Sequence, residues 1–294
     1  LADGQSCLRR LANGFATKTG PCQRSGGKYQ AAKKGACVTP IESFVEVAGG
    51  KVQMLRAGSG RPLLVLHHDV GNPGWLPFYE TLAGSFSVHV PSHPGFGKSE
   101  RPEWMRTVRD MAMLYQWLVQ KLSIGAVTIV GLGFGGWIAA EIAMMCHHSL
   151  SHMVLVNPLG FQPRQGDILD QFLVNTIDYV RAGFENQDKY VELYTAEPTL
   201  DQLEQWEINR EMTSRIAYKP YMYDQTLPQL IGGVSAPTLI VWGAHNRIVP
   251  IVCGEQYREA IPGARLETIS GAGHFLEVEK PAELAKLVRD FAFL

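Results

Sequence analysis

Short apolar runs recur along the chain with helix-length stretches between them, and this alternation limits the fold more than any other feature. Pro62–His67 (PLLVLH), Phe86–Val90, Ala126–Val130 (AVTIV), His152–Val156, Thr238–Trp242 and Arg265–Ile269 are each five or six residues long. Runs that are apolar at successive positions, such as PLLVLH and AVTIV, suit strands buried on both faces, as in a parallel sheet under helices. Arg106–Leu122 carries Met111, Leu114, Tyr115 and Leu118 at spacings of three and four, the pattern of an amphipathic helix. A second helix follows Gly131–Gly136 and runs to about Met145. The last begins near Pro281, where a proline in the first turn costs no hydrogen bond. Ser43–Val47 and Val52–Arg56 flank Ala48-Gly49-Gly50 and read as a hairpin. The expectation is an α/β fold, a mostly parallel sheet flanked by helices, with ligands bound beyond the carboxyl ends of the strands.

The alternation fails over residues 160–232, which are rich in Gln, Glu, Asp, Tyr and Phe and predict several helices without a clear strand. Their place between two core strands predicts an inserted helical cap over residues 160–232, with the core formed by residues 41–159 and 233–294. Phe172, Tyr179, Phe184, Tyr190 and Tyr194 are expected to pack this segment on the core and to shape an apolar pocket. Residues 1–40 hold Arg9, Arg10, Lys18, Arg24, Lys28, Lys33 and Lys34 against one acid, Asp3, and few large apolar side chains. Such a composition offsets little of the entropy lost on ordering, so a disordered basic segment is expected there. A transit-like or nucleic-acid-binding arm is the alternative for it; no secretory apolar core is present.

The net charge of −1 over 294 residues provides no global attraction for nucleic acid or an anionic membrane. No apolar run approaches the length of a membrane-spanning helix. The expected partner is therefore a small molecule. Five scattered cysteines, Cys7, Cys22, Cys37, Cys146 and Cys253, do not make a disulfide framework and favour a reducing cytoplasm.

The chemistry concentrates where the AVTIV strand runs into GLGFGG and then a helix. Gly131, Gly133 and Gly136 satisfy G-x-G-x-x-G literally, but the dinucleotide fingerprint needs an acid ending the next strand, and HMVLV ends in Asn157. No nucleotide cofactor is expected. The competing pattern is the strand–turn–helix nucleophile elbow G-x-S-x-G, in which Gly131 and Gly135 are the flanks and Gly133 stands in the middle.

Five segments in order make the second pattern specific: LLVLHHDVGNPGW, PSHPGFGKSE, VGLGFGGWIAAEIA, PTLIVWGAHNRIVP and GAGHFLEVEKP. From about residue 41 to the end, the chain resembles the α/β-hydrolase superfamily, in the branch with a helical cap. The resemblance implies a general base at His274 and places Gly133 at the nucleophile position and Asn246 at the acid position. The alternative acid position falls near Asn157, also an amide. Backbone N–H groups of Phe134 and of His68 or Asp69 are the implied oxyanion hole, with His67-His68 standing where the family usually has His-Gly.

Glycine forbids an acyl-enzyme at position 133, and an amide in place of the acid costs about 10⁴-fold in a serine protease. Removal of the serine side chain leaves room for a water that His274 would polarise. Three functions stay open: weak or atypical hydrolysis of a small ester-like substrate, small-molecule binding by a pseudoenzyme, and cofactor-free lyase or isomerase chemistry. His274, His68, Asp69, His93 and His245 all fall in strand-end loops, yet no His-x-x-x-His pair is present and no metal is expected. Cys253 is expected in the first turn of a helix, away from the elbow.

Overall fold

The computed structural model describes residues 39–146 and 150–294. The basic segment at residues 1–40, with Cys7, Cys22 and Cys37, lies almost wholly outside the described residues. Among the described residues, eight strands form one sheet: β1 (Ile41–Val47), β2 (Gly50–Ala57), β3 (Arg61–Leu66), β4 (Phe86–Pro91), β5 (Val127–Leu132), β6 (Leu150–Val156), β7 (Thr238–Gly243) and β8 (Arg265–Ile269). Their spatial order is β1-β2-β4-β3-β5-β6-β7-β8. The β1–β2 hairpin and the β2–β4 pair are antiparallel, and every later pair is parallel.

Period-two alternation explains how each buried strand serves two cores at once. Leu64, Leu66, Ile129, Met153, Leu155, Ile240 and Trp242 face one core, and Leu63, Val65, Val130, Val154, Val156, Leu239 and Val241 face the other. The first core is covered by α2 (Val108–Leu122), α3 (Phe134–Met145) and α8 (Val252–Ala260), the second by α1 (Pro77–Ala83) and α10 (Pro281–Ala292). Helix α2 buries Met111, Leu114, Tyr115 and Leu118, the residues of its apolar stripe. A capping box between Thr107 and Asp110 starts it, a contact that contributes about 0.5–2 kcal/mol. A short α9 (Leu276–Glu279) precedes α10.

Between β6 and β7 the chain forms α4 (Thr176–Ala182), α5 (Gln187–Tyr194), α6 (Leu200–Ala217) and the short α7 (Leu227–Leu230). This insertion is fastened to the strand-end loops. Asn209 of α6 donates to Val70 O (2.8 Å) and accepts from the Gly97 amide (3.3 Å). Phe184 packs on Phe275, beside His274, with ring centroids 4.9 Å apart.

Candidate active site

The centre of the site is a sharp turn. Strand β5 ends at Leu132, helix α3 begins at Phe134, and Gly133 between them has φ 51° and ψ −107°. L-residues occupy such a conformation only under strain. The flanking glycines are required by contact. A Cβ on Gly131 would meet Gly135 O at 2.5 Å and Gly136 Cα at 2.6 Å, and one on Gly135 would overlap Leu66 O. The turn is pinned by the Gly133 amide donating to Val156 O (2.8 Å) and the Gly135 amide to His67 O (3.0 Å).

Two imidazoles converge on the place a side chain at position 133 would occupy. A Cβ built on Gly133 lies 2.8 Å from His274 Nε2 and overlaps His68 Nδ1. A side chain at position 133 would thus meet the His68 ring. His68 was expected to contribute its amide and was also one of the strand-end side chains considered with His274, Asp69, His93 and His245; its ring lies at the place of a Gly133 side chain. The His68 and His274 rings lie 4.8 Å apart, and both residues are buried.

His68 is oriented by a partner that the sequence pattern did not single out. Its Nε2 lies 3.2 and 3.3 Å from the two carboxylate oxygens of Glu277 in α9, and both side chains are buried. A carboxylate only accepts, so Nε2 carries the proton and Nδ1 presents its lone pair toward position 133. Glu277 lies three residues after His274 in a short helix. Nothing in a one-dimensional pattern marks it as facing a loop more than 200 positions away.

Asp69 is buried beside His68. Its Oδ2 accepts from Tyr179 Oη of α4 (2.9 Å) and from Gln171 Nε2 (3.2 Å). Burial pushes its carboxyl up, against the opposing pull of His68 and these donors. Tyr179 was expected to pack the insertion on the core and to shape an apolar pocket, and its hydroxyl reaches the polar centre. Oδ1 of Asp69, Nδ1 of His68 and both ring nitrogens of His274 have no hydrogen-bond partner among the described residues. Burial, with a smaller contribution from His68, holds the His274 imidazole well below the ordinary histidine range, so it is neutral at pH 7.

Asn246 does not meet His274. Its Oδ1 accepts the amides of Ile248 (2.9 Å) and Val249 (3.1 Å), an Asx-type turn in the loop after β7, and its Nδ2 is unpartnered. Asn157, the other amide at an acid position, acts on the backbone. Its Nδ2 donates to Gly273 O (3.2 Å) and His274 O (2.9 Å), and its Oδ1 accepts from the Gly243 amide (2.9 Å). It ties the ends of β6 and β7 to the histidine loop. Glu279 completes that loop by accepting the amides of Gly273 and Asn186, both at 2.7 Å.

Phe134 offers its backbone N–H at the first position of α3, where an amide has no intrahelical acceptor. The Phe134 ring is buried and stacks on Phe96. Of the five strand-end residues His274, His68, Asp69, His93 and His245, the fold gathers the first three. His93 donates from Nε2 to His67 O (2.9 Å), and its Nδ1 meets Tyr115 Oη (2.5 Å). His67 Nε2 accepts the His93 amide (2.8 Å), and Nδ1 donates to His68 O (2.6 Å). These two rings are saturated structural elements. His245 is half exposed and pairs with Glu185 at 3.1 Å. Cys253 is buried in α8, its thiol pushed up to about 12, and cannot replace a nucleophile at the elbow.

A family model described as alpha/beta hydrolase fold matches residues 62–281, which carry the Gly133 turn, the loop after β3 and the His274 loop. The chain belongs to the α/β-hydrolase family. It is similar to a dihydrolipoyllysine-residue acetyltransferase component of the acetoin cleaving system of Cupriavidus necator, at 26% identity over 84% of this chain and 67% of that one. It is also similar to a 2-hydroxy-6-oxo-6-phenylhexa-2,4-dienoate hydrolase of Comamonas testosteroni, at 26% identity over 80% of this chain and 88% of that one. Among solved structures, a bacterial membrane phospholipase A shares the fold with a TM-score of 0.75, at 22% identity over 86% of this chain and 85% of that one. Among the described residues, no helix is long and apolar enough to cross a membrane.

Proposed function

We propose that this chain hydrolyses a small ester-like substrate without a covalent intermediate, by direct attack of water at a centre bounded by Gly133, His274, His68 and Asp69. The observation that carries the reading is the convergence of His68 Nδ1 and His274 Nε2 on the position of a Gly133 side chain. An acyl-enzyme needs an oxygen or sulfur at position 133 and none is there. The two unpartnered ring nitrogens are bases at the point where the family's nucleophile acts. The water oxygen bonds to the carbonyl carbon while its proton passes to an imidazole lone pair. Negative charge develops on the carbonyl oxygen, facing the Phe134 amide and an amide of the His68-Asp69 loop. Collapse expels the alkoxide, which takes the proton from the imidazolium, and the products are an acid and an alcohol.

The insertion at residues 160–232 serves as the cap in this reading. Tyr179 and Gln171 bring it onto Asp69, and Phe184 onto Phe275. His68, Asp69 and His274 are each 1–2% exposed, so a substrate enters by displacement of the insertion. The aromatic side chains on that path favour a substrate with an apolar or aromatic group. The phenyl-bearing substrate in the name of the Comamonas testosteroni relative is in keeping with this.

The test is release of p-nitrophenol from short-chain p-nitrophenyl esters by the wild-type chain and by His274→Ala. A rate above buffer that disappears in the variant is expected. No rate above buffer in either protein refutes hydrolysis of esters and leaves ligand binding or non-hydrolytic proton transfer as the use of the site.

A further inference from the structure

The three unpartnered side chains at the elbow suit a metal ion better than they suit one another. His68, Asp69 and His274 each offer one donor atom, and these atoms lie within 4.8 Å of one another. All three residues are buried, and His68 Nδ1, Asp69 Oδ1 and His274 Nε2 have no hydrogen-bond partner among the described residues. Leaving one buried polar atom unsatisfied costs about 1–3 kcal/mol, so three together at one point are an expensive arrangement unless something binds them.

The surroundings are those of a ligand set. Metal-bound histidine usually donates its other ring N–H to a carboxylate, which fixes the tautomer and raises the basicity of the ligating nitrogen. His68 makes that contact with Glu277, at 3.2 Å. A ligating carboxylate usually has its second oxygen hydrogen-bonded. Asp69 has Oδ2 held by Tyr179 and Gln171, with Oδ1 left for the metal. His274 turns its unpartnered Nε2 toward the same point, 2.8 Å from a Cβ built on Gly133.

We infer that His68, Asp69 and His274 form a mononuclear site for a divalent first-row metal ion, zinc or iron(II), at the elbow where the family's nucleophile stands. Two imidazoles and one carboxylate with further positions open are the donor set of catalytic zinc and of mononuclear non-haem iron. Bonds of about 2.1 Å in tetrahedral geometry bring ligand atoms about 3.4 Å apart, so the three arms close by an ångström or so around the ion. For position 133 the consequence is direct: any side chain there would overlap a ligand ring, so glycine is what the site requires. The inference deepens the proposed hydrolysis and changes its base: with both ring nitrogens bound to the ion they would no longer accept the proton, and a metal-bound water, whose pKa a divalent ion lowers to about 7, would be the attacking group. It rests on that reading for the role of the metal and not for its binding.

The test is titration of chelator-stripped full-length protein with Co²⁺, followed by visible ligand-field absorption and competition with Zn²⁺. One equivalent is expected to bind, and Zn²⁺ to displace it. Asp69→Asn and His68→Ala should abolish the absorption, and Glu277→Gln should weaken binding about 10–100-fold while circular dichroism stays native. No saturable uptake by the folded wild-type chain overturns the site, as does uptake that Asp69→Asn and His68→Ala leave unchanged. Cobalt binding without ester turnover refutes the hydrolytic reading and keeps the site. Turnover that survives EDTA in a chain taking up no cobalt does the reverse.

Discussion

Placing a serine at the centre of the turn by Gly133→Ser should destabilise this protein, because the His68 ring occupies the room the new side chain needs. Gly133 sits at φ 51° and ψ −107°, and holding an L-residue there costs about 1–3 kcal/mol. The new Cβ also overlaps His68 Nδ1, and His274 Nε2 lies 2.8 Å away. The His68 ring must swing aside, which separates it from Glu277 and leaves a buried carboxylate without its hydrogen bond, a further cost of about 1–3 kcal/mol. The sum is about 2–6 kcal/mol of unfolding free energy. His68→Gly re-creates the family's His-Gly pair and removes the obstructing ring. In that background Gly133→Ser should cost only the backbone component, about 1–3 kcal/mol. The difference is a coupling of about 1–3 kcal/mol, readable in a double-mutant cycle by equilibrium urea unfolding. Equal costs in the two backgrounds, within about 0.5 kcal/mol, would refute the placement of His68 at the nucleophile position.

Three further outcomes are expected. His67, held at about 3 by burial, and His93 and His274, both held well below the ordinary range, stay neutral in the folded chain while the unfolded chain protonates near pH 6.5. Their stabilisation is present above pH 6.5 and lost as pH falls below it, by up to about 1.4 kcal/mol per pH unit for each ring. The raised carboxyls of Asp69 and Glu279 offset part of this at lower pH. Urea midpoints at pH 7.5, 6.5 and 5.5 test it, and a flat profile from 6.5 to 5.5 contradicts the burial argument. Asn157→Ala removes the partner of the Gly243 amide and of two carbonyls in the His274 loop, and should cost about 1–3 kcal/mol, with faster amide exchange at Gly243. An unchanged exchange rate there would count against its role as the tie. Tyr179→Phe removes one donor from Asp69 and should lower stability by about 0.5–3 kcal/mol, and it should lower ester hydrolysis or Co²⁺ affinity more than Tyr221→Phe, whose hydroxyl contacts only the Gln171 amide and Leu169 O. Equal functional losses in the two variants would show that the Tyr179–Asp69 contact has no special part in it.

The fold was legible because its signals are local. Apolar strands of five to seven residues, the α2 stripe and the glycines of the elbow each lie within one stretch of chain, and each strand begins or ends within a few residues of its expected bound. Helix α1 buries Phe78, Tyr79, Leu82 and Ala83, but its seven residues are too few for a repeating stripe, and it was not anticipated. The motifs that carry Gly133 and His274 are local in the same way, and the fold sets a Cβ on Gly133 2.8 Å from His274 Nε2.

What the sequence determined alone is therefore the sheet with its helices and the sharp turn with glycine at its centre. Tertiary structure decided where the unmatched residues went. It turned the His68 ring into the serine's place, set Glu277 behind it, carried Tyr179 onto Asp69 and folded Asn246 back on its own loop. The His68–Glu277 and Tyr179–Asp69 contacts join side chains from separate loops and helices more than 100 positions apart in the chain, whereas Asn246 accepts backbone amides of its own loop. Their partners are chosen by how the sheet, α9 and the insertion pack around a buried polar centre. That choice leaves no spacing in the sequence, because burial and the need to satisfy polar atoms act through space.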